Sequence, residues 1–259
     1  MMRRILGLSV VAAMLFVASS ALAAPGVSLS WSFCHGEGTG SNNRTFACSA
    51  NTGTNVLVCS FELPSDLAQV SGNEIILDVL TQQATLPAWW DFKNVGTCRS
   101  TSLSFNTTAD ANNVVCIDWA QGGSSGGIGA YDQSGITGVG AGGSIDPSLT
   151  ASHRRLKIAL AVPSTSLQNL VAATEYFACN LTINNLKTVG TGSCAGCTEP
   201  MCVVYNSCNV TTPVLANNIF IGNASAPGAN IVTWQGAGPN CSAVPTKNVT
   251  WGQVKALYR

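Results

Sequence analysis

The distribution of cysteines constrains the fold of this chain more than any other sequence feature. Eleven cysteines are present, and none lies within the first 33 residues. Those first residues have the pattern of a cleavable export signal, so every cysteine would reach a compartment in which disulfides persist. We therefore expect a secreted or cell-surface protein whose fold is stapled by disulfides.

The export signal is predicted over residues 1–23. Arg3 and Arg4 form a positive start, residues 5–17 form an apolar run, and residues 21–23 read Ala-Leu-Ala, the small-x-small pattern of a cleavage site. The apolar run is shorter than the ~20 residues of a membrane span. We predict cleavage after Ala23 and no membrane span in the mature chain.

The charge of the mature chain excludes one class of partner. Without residues 1–23, two of the 12 basic side chains are lost and all 12 acidic ones remain, so the formal charge becomes −2. Only 9% of the residues are charged. Because binding to phosphate backbones needs clustered Lys and Arg, we expect no nucleic-acid partner.

Strand signals run through the whole mature chain. Val27, Leu29 and Trp31 alternate with serines, which is the period of a strand with one apolar face. Similar signals occur at 57–63, 74–80, 101–105, 115–119, 156–162, 177–183, 214–221 and 230–234. Many short strands without alternating helices favour antiparallel packing. We predict one all-β domain over 24–259, an antiparallel β-sandwich that is Ig-like or jelly-roll-like.

Two segments interrupt this pattern. Residues 122–143 contain ten of the 26 glycines, and we expect a long Gly-rich loop there. Residues 194–208 hold four closely spaced cysteines and are predicted to form a Cys-rich insert.

The C-terminal segment Thr250–Arg259 is predicted to form a short helix. Thr250 and Gln253 fit a capping box, and Val254 and Leu257 begin an apolar face. Docking on the sandwich would stabilise so short a helix. The alternative is an exposed recognition tag for export or surface attachment.

The odd number of cysteines means that at least one thiol is unpaired or pairs between molecules. Cysteines that flank neighbouring strand signals suggest two bridges, Cys34–Cys48 and Cys98–Cys116. In the chain-entropy model each of these short loops would contribute about 3 kcal/mol.

Cys59 and Cys179 are predicted to form a third, buried disulfide between two strands. Each lies on the apolar phase of an alternating segment, so both should face the core. The alternative is two separate buried thiols that act as small hydrophobic groups.

The remaining cysteines are close together in the sequence. We expect two local bridges among Cys194, Cys197, Cys202 and Cys241, which leaves Cys208 unpaired. The thiolates of Cys194, Cys197, Cys202 and Cys208 could instead bind zinc at this spacing. An oxidising destination and only two histidines, His35 and His153, argue against it, so we predict no metal and no cofactor.

Four aromatic residues are candidates for ligand binding. Trp89, Trp90, Trp119 and Tyr131 could form a platform whose faces stack on sugar rings. The alternative is that the tryptophans pack against the core at strand ends.

Catalytic motifs are weak. Residues 122–126 match G-x-S-x-G, but a nucleophile elbow needs a strand before it and a helix after it, and glycines continue on both sides. Two carboxylates about 5–9 Å apart could still form a glycosidase pair. The scattered candidates are Asp78, Asp91, Asp110, Asp118 and Asp132. We assign no catalytic residue, and the balance is against an enzyme.

Several segments together carry a resemblance. They are NNRTFAC at 42–48, LPAWWDFK at 86–93, AVPSTS at 161–166, GSCAGC at 192–197 and TWGQVKALYR at 250–259. The chain resembles an uncharacterised family of secreted bacterial β-rich proteins that contain cysteines and have no assigned activity. The resemblance implies an exported bacterial protein and carries over no catalytic residue.

Two functions follow as hypotheses. The first is a non-enzymatic extracellular protein, either a binding module or a component of a surface assembly. The alternative is a secreted carbohydrate-active protein that binds or hydrolyses glycans. The expected partner is accordingly a glycan or another extracellular protein.

Overall fold

The computed structural model describes residues 24–37, 40–92, 96–109, 115–132, 135–136, 149–236 and 241. The strands in these residues are β1 (Gly26–Trp31), β2 (Asn43–Arg44), β3 (Thr54–Glu62), β4 (Leu67–Val70), β5 (Gly72–Leu80), β6 (Leu103–Asn106), β7 (Ile117–Asp118), β8 (Ser125–Asp132), β9 (Gly135–Ile136), β10 (His153–Ala161), β11 (Gln168–Leu170), β12 (Glu175–Asn184), β13 (Met201–Thr211), β14 (Ile219–Ile221) and β15 (Ile231–Trp234). A 3₁₀ turn covers Leu215–Asn217. The described residues contain no α-helix, and none of them forms a helix that could cross a membrane.

Two mostly antiparallel sheets form the molecule. The first sheet has the order β1-β3-β12-β6, and β7 also pairs with β12. The second sheet has the order β2-β15-β13-β5-β10-β8-β9, and β14 pairs with β13. A small ribbon of β4 and β11 accompanies them. The predicted all-β antiparallel sandwich is confirmed, whereas the predicted helix Thr250–Arg259 lies outside the described residues.

The core lies between the two sheets and follows the period-2 pattern of the sequence. Leu57, Cys59 and Phe61 of β3 are almost completely buried, and Ile75 and Leu77 of β5 belong to the same cluster. Burial of one such aliphatic or aromatic side chain contributes about 1.5–3 kcal/mol. On β3 the alternation marks the residues that pack into the main core, although most of the opposite face of this strand is buried as well.

The free edge of β1 is covered by a distant part of the chain. The Val27 amide donates to the Asn223 carbonyl at 2.8 Å, and the Leu29 amide donates to the Ala229 carbonyl at 2.7 Å. An uncovered edge strand would invite pairing with another chain. Residues 223–229 therefore join the edge of the first sheet to the second sheet.

Two segments that we expected to lie outside the sheets contribute strands to them. The predicted Gly-rich loop, 122–143, contains β8 and β9. A Cβ atom on Gly126 would lie 1.9 Å from the Ala159 carbonyl oxygen, so glycine is needed where β8 lies against β10. Part of the predicted Cys-rich insert, 194–208, belongs to β13, which pairs with both β5 and β15.

The disulfides differ from the predicted pairings. The four bridges are Cys34–Cys116, Cys48–Cys197, Cys98–Cys194 and Cys202–Cys241. Only the last lies within the predicted local set, and the predicted Cys34–Cys48 and Cys98–Cys116 bridges are wrong. The physical reason is that loops distant in sequence meet in the folded chain, with separations of 82, 149 and 96 residues for the first three bridges. In the chain-entropy model, closing each of these long loops removes conformational entropy from the unfolded chain and raises its free energy by about 4–5 kcal/mol.

Three cysteines remain as buried thiols: Cys59, Cys179 and Cys208. The predicted Cys59–Cys179 disulfide is therefore wrong, although the two residues are paired in register between β3 and β12. Side chains of such a pair leave the sheet side by side and nearly perpendicular to it, whereas a disulfide needs a dihedral angle near 90°. Burial raises the pKa of Cys208 to about 12, and a hydrogen bond with Cys179 together with burial raises the pKa of Cys59.

The outer face of the first sheet has a small apolar layer of its own. Cys34, Cys116, Val58 and Phe177 form a buried cluster there, separate from the main core. The Cys34–Cys116 bridge links the segment after β1 to the segment before β7. Two loops are therefore held over the sheet by one covalent bond.

Carboxylates gather at the end of β3 on this face. Glu175 is paired in register with Glu62, and Ser60 donates a hydrogen bond of 2.5 Å to Glu175 Oε1. Burial raises the pKa of Glu175 to about 6; the Ser60 hydrogen bond and the His35 backbone amide oppose this shift, while the charges of Glu62 and Glu37 add to it. The folded state therefore favours the neutral form of this carboxyl group.

We expect the number of free thiols per chain to distinguish the disulfide pattern of the structure from the pattern predicted from the sequence. Cys59, Cys179 and Cys208 are each 0% exposed, and the thiolate is the reactive form, so none should react with a thiol reagent in the native protein. Titration with Ellman's reagent without reductant should give three thiols per chain after denaturation. One thiol instead would indicate a Cys59–Cys179 bridge.

We expect the Glu175→Gln substitution to stabilise the protein at neutral pH. The folded-state pKa of about 6 lies above the ordinary value of 4.5, so the associated stability is complete below about pH 4.5 and is lost as the pH rises through 6. The variant should be more stable by about 1–2 kcal/mol at pH 7 and unchanged at pH 4, by chemical denaturation. Glu74→Gln, at an exposed position on β5, is the control. An equal pH dependence in the wild type and in Glu175→Gln would contradict the assignment.

Candidate functional site

The predicted aromatic platform does not lie on the surface. Trp89 and Trp90 are 0% exposed and Trp119 is 1% exposed, so none of them can offer a ring face to a ligand. Tyr131 alone of the four is half-buried. The tryptophans therefore pack in the core, as the alternative interpretation held. An indole ring buries more apolar surface in the core than it would by stacking on a ligand at the surface.

Trp89 and Trp90 belong to an aromatic cluster centred on Trp234. Their ring centroids lie 5.3 and 5.2 Å from that of Trp234, and Trp31 lies 6.0 Å from it. The Trp234 indole N–H donates to the Cys197 carbonyl at 2.8 Å. The cluster therefore packs beneath the loops that contain the cysteines.

Three loops meet above this cluster, and we call them the stapled end. They cover residues 46–53, 96–102 and 185–197. The Cys48–Cys197 bridge joins the first loop to the third, and the Cys98–Cys194 bridge joins the second to the third. Covalent bonds therefore fix the relative positions of all three loops.

The backbone at the stapled end is locally strained. Cys48, Thr101 and Lys187 have positive φ angles of 54°, 65° and 58°. A positive φ is uncommon for a residue other than glycine, and for β-branched threonine it is a genuine outlier. Such strain persists only where surrounding bonds impose it, and it concentrates at binding and catalytic sites.

A cavity of about 460 Å³ opens at the stapled end. Its volume lies within the range of about 300–1,000 Å³ that is typical of ligand pockets. Four lining residues carry hydroxyl groups and two are cationic: Ser100, Thr101, Ser102, Thr191, Arg99 and Lys187. None of the described residues that line it is acidic. No sequence signal indicated this site, because the loops that form it are distant in sequence and carry no motif.

Arg99 connects the cavity to the aromatic cluster. It is 1% exposed, and its guanidinium carbon lies 3.6 Å from the centroid of the Trp89 ring. One terminal nitrogen donates to the Trp89 carbonyl at 2.8 Å, and the other donates to the Asn184 carbonyl. Burial lowers the pKa of Arg99 to about 10, so the side chain is still a cation at neutral pH.

Three of the five candidate acids, Asp78, Asp91 and Asp132, are bound in ion pairs. Asp78 is 1% exposed, receives hydrogen bonds from Arg155 and Asn206, and lies 2.9 Å from His153 Nε2. Desolvation alone would raise the pKa of Asp78, but the hydrogen bonds from His153 and Arg155 outweigh it, so this pKa is lowered. Asp78 therefore remains a carboxylate that holds three strands together.

Arg154 forms ion pairs with two further candidate acids, Asp91 and Asp132. Its guanidinium nitrogens lie 2.6 Å from Asp91 and 2.9 Å from Asp132. Asp118 accepts two backbone N–H groups of its own turn, and Asp110 lies outside the described residues. Within the described ranges, no group of three His, Cys, Asp or Glu side chains is arranged to hold a metal ion.

The opposite end of the sandwich carries an apolar surface, which we call the apolar tip: residues 212–218 with Phe220. Val214 is 52% exposed, Leu215 is 80% exposed and Phe220 is 63% exposed. β13 runs for eleven residues between the two ends, a distance of about 35 Å. The sequence predicted a continuous strand over 214–221, whereas the structure has a 3₁₀ turn followed by the short β14.

Hydrogen bonds within the loop leave the apolar side chains of the tip facing solvent. The Thr212 amide donates to Asn218 Oδ1 at 2.8 Å, and the Thr212 hydroxyl donates to the Val214 carbonyl at 2.8 Å. The Asn217 amide also donates to the Val214 carbonyl. These bonds hold the loop in shape, and its exposed residues include Val214 and Leu215 together with the polar Asn217.

Comparisons with known proteins give one structural likeness. No protein-family model matches the chain, and no curated protein matches it by sequence. A similar solved structure is the second type II cohesin module from the cellulosomal adaptor ScaA scaffoldin of Acetivibrio cellulolyticus. The identity is 9%, the TM-score is 0.32, and the match covers 78% of this chain and 92% of that one. The assignment of a sandwich therefore depends on the strand pairing itself.

We expect the Arg99→Ala substitution to destabilise the protein by about 2–4 kcal/mol. It removes a cation from the face of Trp89 and leaves two buried carbonyl groups without donors. Chemical denaturation measures the loss. Arg44→Ala is the matched control, because Arg44 is only half-buried and makes one side-chain bond to Asn55. Equal losses in the two variants would contradict the role assigned to Arg99.

Proposed function

We propose that this protein is an exported, non-enzymatic binding module of a bacterial extracellular assembly, and that the apolar tip is its docking surface for another protein. The observation that carries the proposal is the outward position of Leu215 and Phe220 beside a loop that hydrogen bonds of Thr212 hold in shape. The four disulfides support an oxidising destination.

The tip is unusual because exposed apolar side chains are concentrated in one place. Scattered apolar residues on a surface need no explanation, whereas contiguous patches mark interaction sites. Three side chains that are more than half exposed lie within seven residues of one another, from Val214 to Phe220. The chain carries no charged residue from Pro200 to Thr246. An uncharged apolar surface of this kind gains most from burial against another apolar surface.

The shape of the tip selects the kind of partner. The three exposed side chains offer about 300–400 Å² of surface. Two copies that met tip to tip would bury less than the roughly 1,200 Å² of a specific interface. A partner with a concave apolar pocket can instead surround the tip and bury its flanks as well. We therefore assign the tip to a protein partner with such a pocket and not to a second copy of this chain.

The cavity supports the non-enzymatic part of the proposal. Hydrolysis of a glycosidic bond by the usual route needs two carboxyl groups that flank the bond. The residues that line the cavity include no carboxyl group and no imidazole. Hydroxyl groups and cations can bind a ligand, but they do not supply that acid–base pair.

The experiment is site-specific photocrosslinking followed by binding to the purified partner. A photoreactive residue at position 215 should give one discrete adduct with a second protein in the cell envelope of the producing organism. The purified partner should bind the wild type saturably in surface plasmon resonance. Leu215→Ser and Phe220→Ser should each weaken this binding at least about tenfold, as expected for buried anchors.

Leu186→Ser is the matched control. Leu186 is 56% exposed at the stapled end, so the same substitution is made far from the tip. This variant should retain the affinity of the wild type. Adducts only with lipid or with a second copy of the chain, or affinities that Leu215→Ser leaves unchanged, would overturn the proposal.

A further inference from the structure

We propose that the cavity at the stapled end binds a saccharide unit that carries a carboxylate group. This inference goes beyond the docking function of the apolar tip, and it depends on a different part of the molecule. It follows from unpartnered donors, from the charge of the lining, and from the rigidity of the loops.

Two buried polar atoms of the cavity residues lack partners among the described residues. They are Ser102 Oγ and Arg99 Nε. Ser102 is 3% exposed and Arg99 is 1% exposed, and both side chains line the cavity. Buried polar groups are nearly always hydrogen-bonded, and an unsatisfied one is costly. An acceptor in the cavity that met a rotated Ser102 hydroxyl group would remove the cost at Ser102, whereas Arg99 stays packed on the Trp89 ring.

The lining selects a negatively charged ligand. Lys187 is an exposed cation, Arg99 is a buried cation behind the lining, and Ser100 and Thr191 are exposed residues of the same cavity. Without any acidic residue in the lining, a bound cation would meet only positive charges, whereas a carboxylate would be attracted to them. Hydrogen bonds from charged donors to a carboxylate are about twice as strong as those between neutral groups.

The rest of the lining suits a sugar ring better than a small inorganic anion. Leu186 is 56% exposed and Val189 is half-buried, so the cavity has an aliphatic wall beside its polar groups. Sugar rings present C–H groups on one face and hydroxyl groups at the edge. The volume of about 460 Å³ also exceeds what one small anion would fill.

Rigidity of the site favours binding, because little conformational entropy is lost when the ligand enters. The Cys98–Cys194 bridge fixes two walls, and the Lys187 ammonium donates to the Cys98 carbonyl at 2.7 Å. The strained backbone at Thr101 and Lys187 is held in place by these bonds. A preorganised site uses more of its interaction energy for affinity.

The test compares two sugars that differ at one carbon. Galacturonic acid and galactose share a ring but carry a carboxylate or a hydroxymethyl group, and both are titrated into the mature protein by calorimetry. Galacturonic acid should bind saturably and at least about tenfold more tightly than galactose, and added salt should weaken its binding. Inorganic sulfate is the third ligand and should bind weakly.

Ser102→Ala gives a result that a purely structural role would not produce. It removes a buried hydroxyl group that has no partner, so the melting temperature should stay the same or rise. Affinity for galacturonic acid should nevertheless fall about fivefold or more, since the donor is lost. Ser104→Ala, at an exposed position on β6 outside the cavity, should change neither quantity.

Three outcomes would overturn the proposal. The first is equal affinity for galacturonic acid and galactose, and the second is sulfate binding as tight as that of the sugar acid. The third is the absence of saturable binding at millimolar sugar, with Ser102→Ala and the wild type indistinguishable. None of these outcomes bears on the apolar tip, which is tested with a different partner and different variants.

Discussion

The disulfide between Cys98 and Cys194 is the constraint on which the stapled end depends. It closes a loop of 96 residues and fixes the segment that carries Arg99. Arg99 can then lie on the face of Trp89 with its terminal nitrogens bound to backbone carbonyls. A buried cation without such partners would be strongly destabilising. The disulfide therefore positions Arg99, and Arg99 in turn packs on the aromatic cluster. The cavity lies above these residues.

The sandwich separates two chemically different surfaces. One end has hydroxyl groups and cations on loops that two disulfides hold, and the other has an uncharged loop with exposed Leu215 and Phe220. β13 connects the two ends and pairs on both sides, so their separation is fixed by a hydrogen-bonded ladder with one irregularity, between Tyr205 and Ser207. A ligand at one end and a protein at the other could therefore be held at a constant distance.

Much of the fold could be predicted from the sequence, but little of the candidate site. Alternation such as that of Val27, Leu29 and Trp31 correctly indicated an antiparallel sandwich, although the intervening Ser28 and Ser30 are buried as well. Disulfide connectivity depends on which loops meet in space, and sequence spacing does not contain that information. Trp89 and Trp90 illustrate the same limit, because aromatic residues suit a ligand platform and a core equally well until burial is known. The tip had a usable signal, the absence of charge around Leu215, but its pattern resembled a strand.

The three buried thiols impose an order of events on maturation. A chain with eleven cysteines can form many wrong pairs while it is unfolded, and thiol–disulfide exchange proceeds wherever a thiolate is accessible. Cys59, Cys179 and Cys208 stay reduced when the two sheets close around them before they are oxidised, or when exchange breaks a wrong pair that includes them. Productive maturation therefore depends on the rate at which the core collapses relative to the rate at which the chain is oxidised. The three reduced thiols of the native core reflect the relative timing of collapse and oxidation.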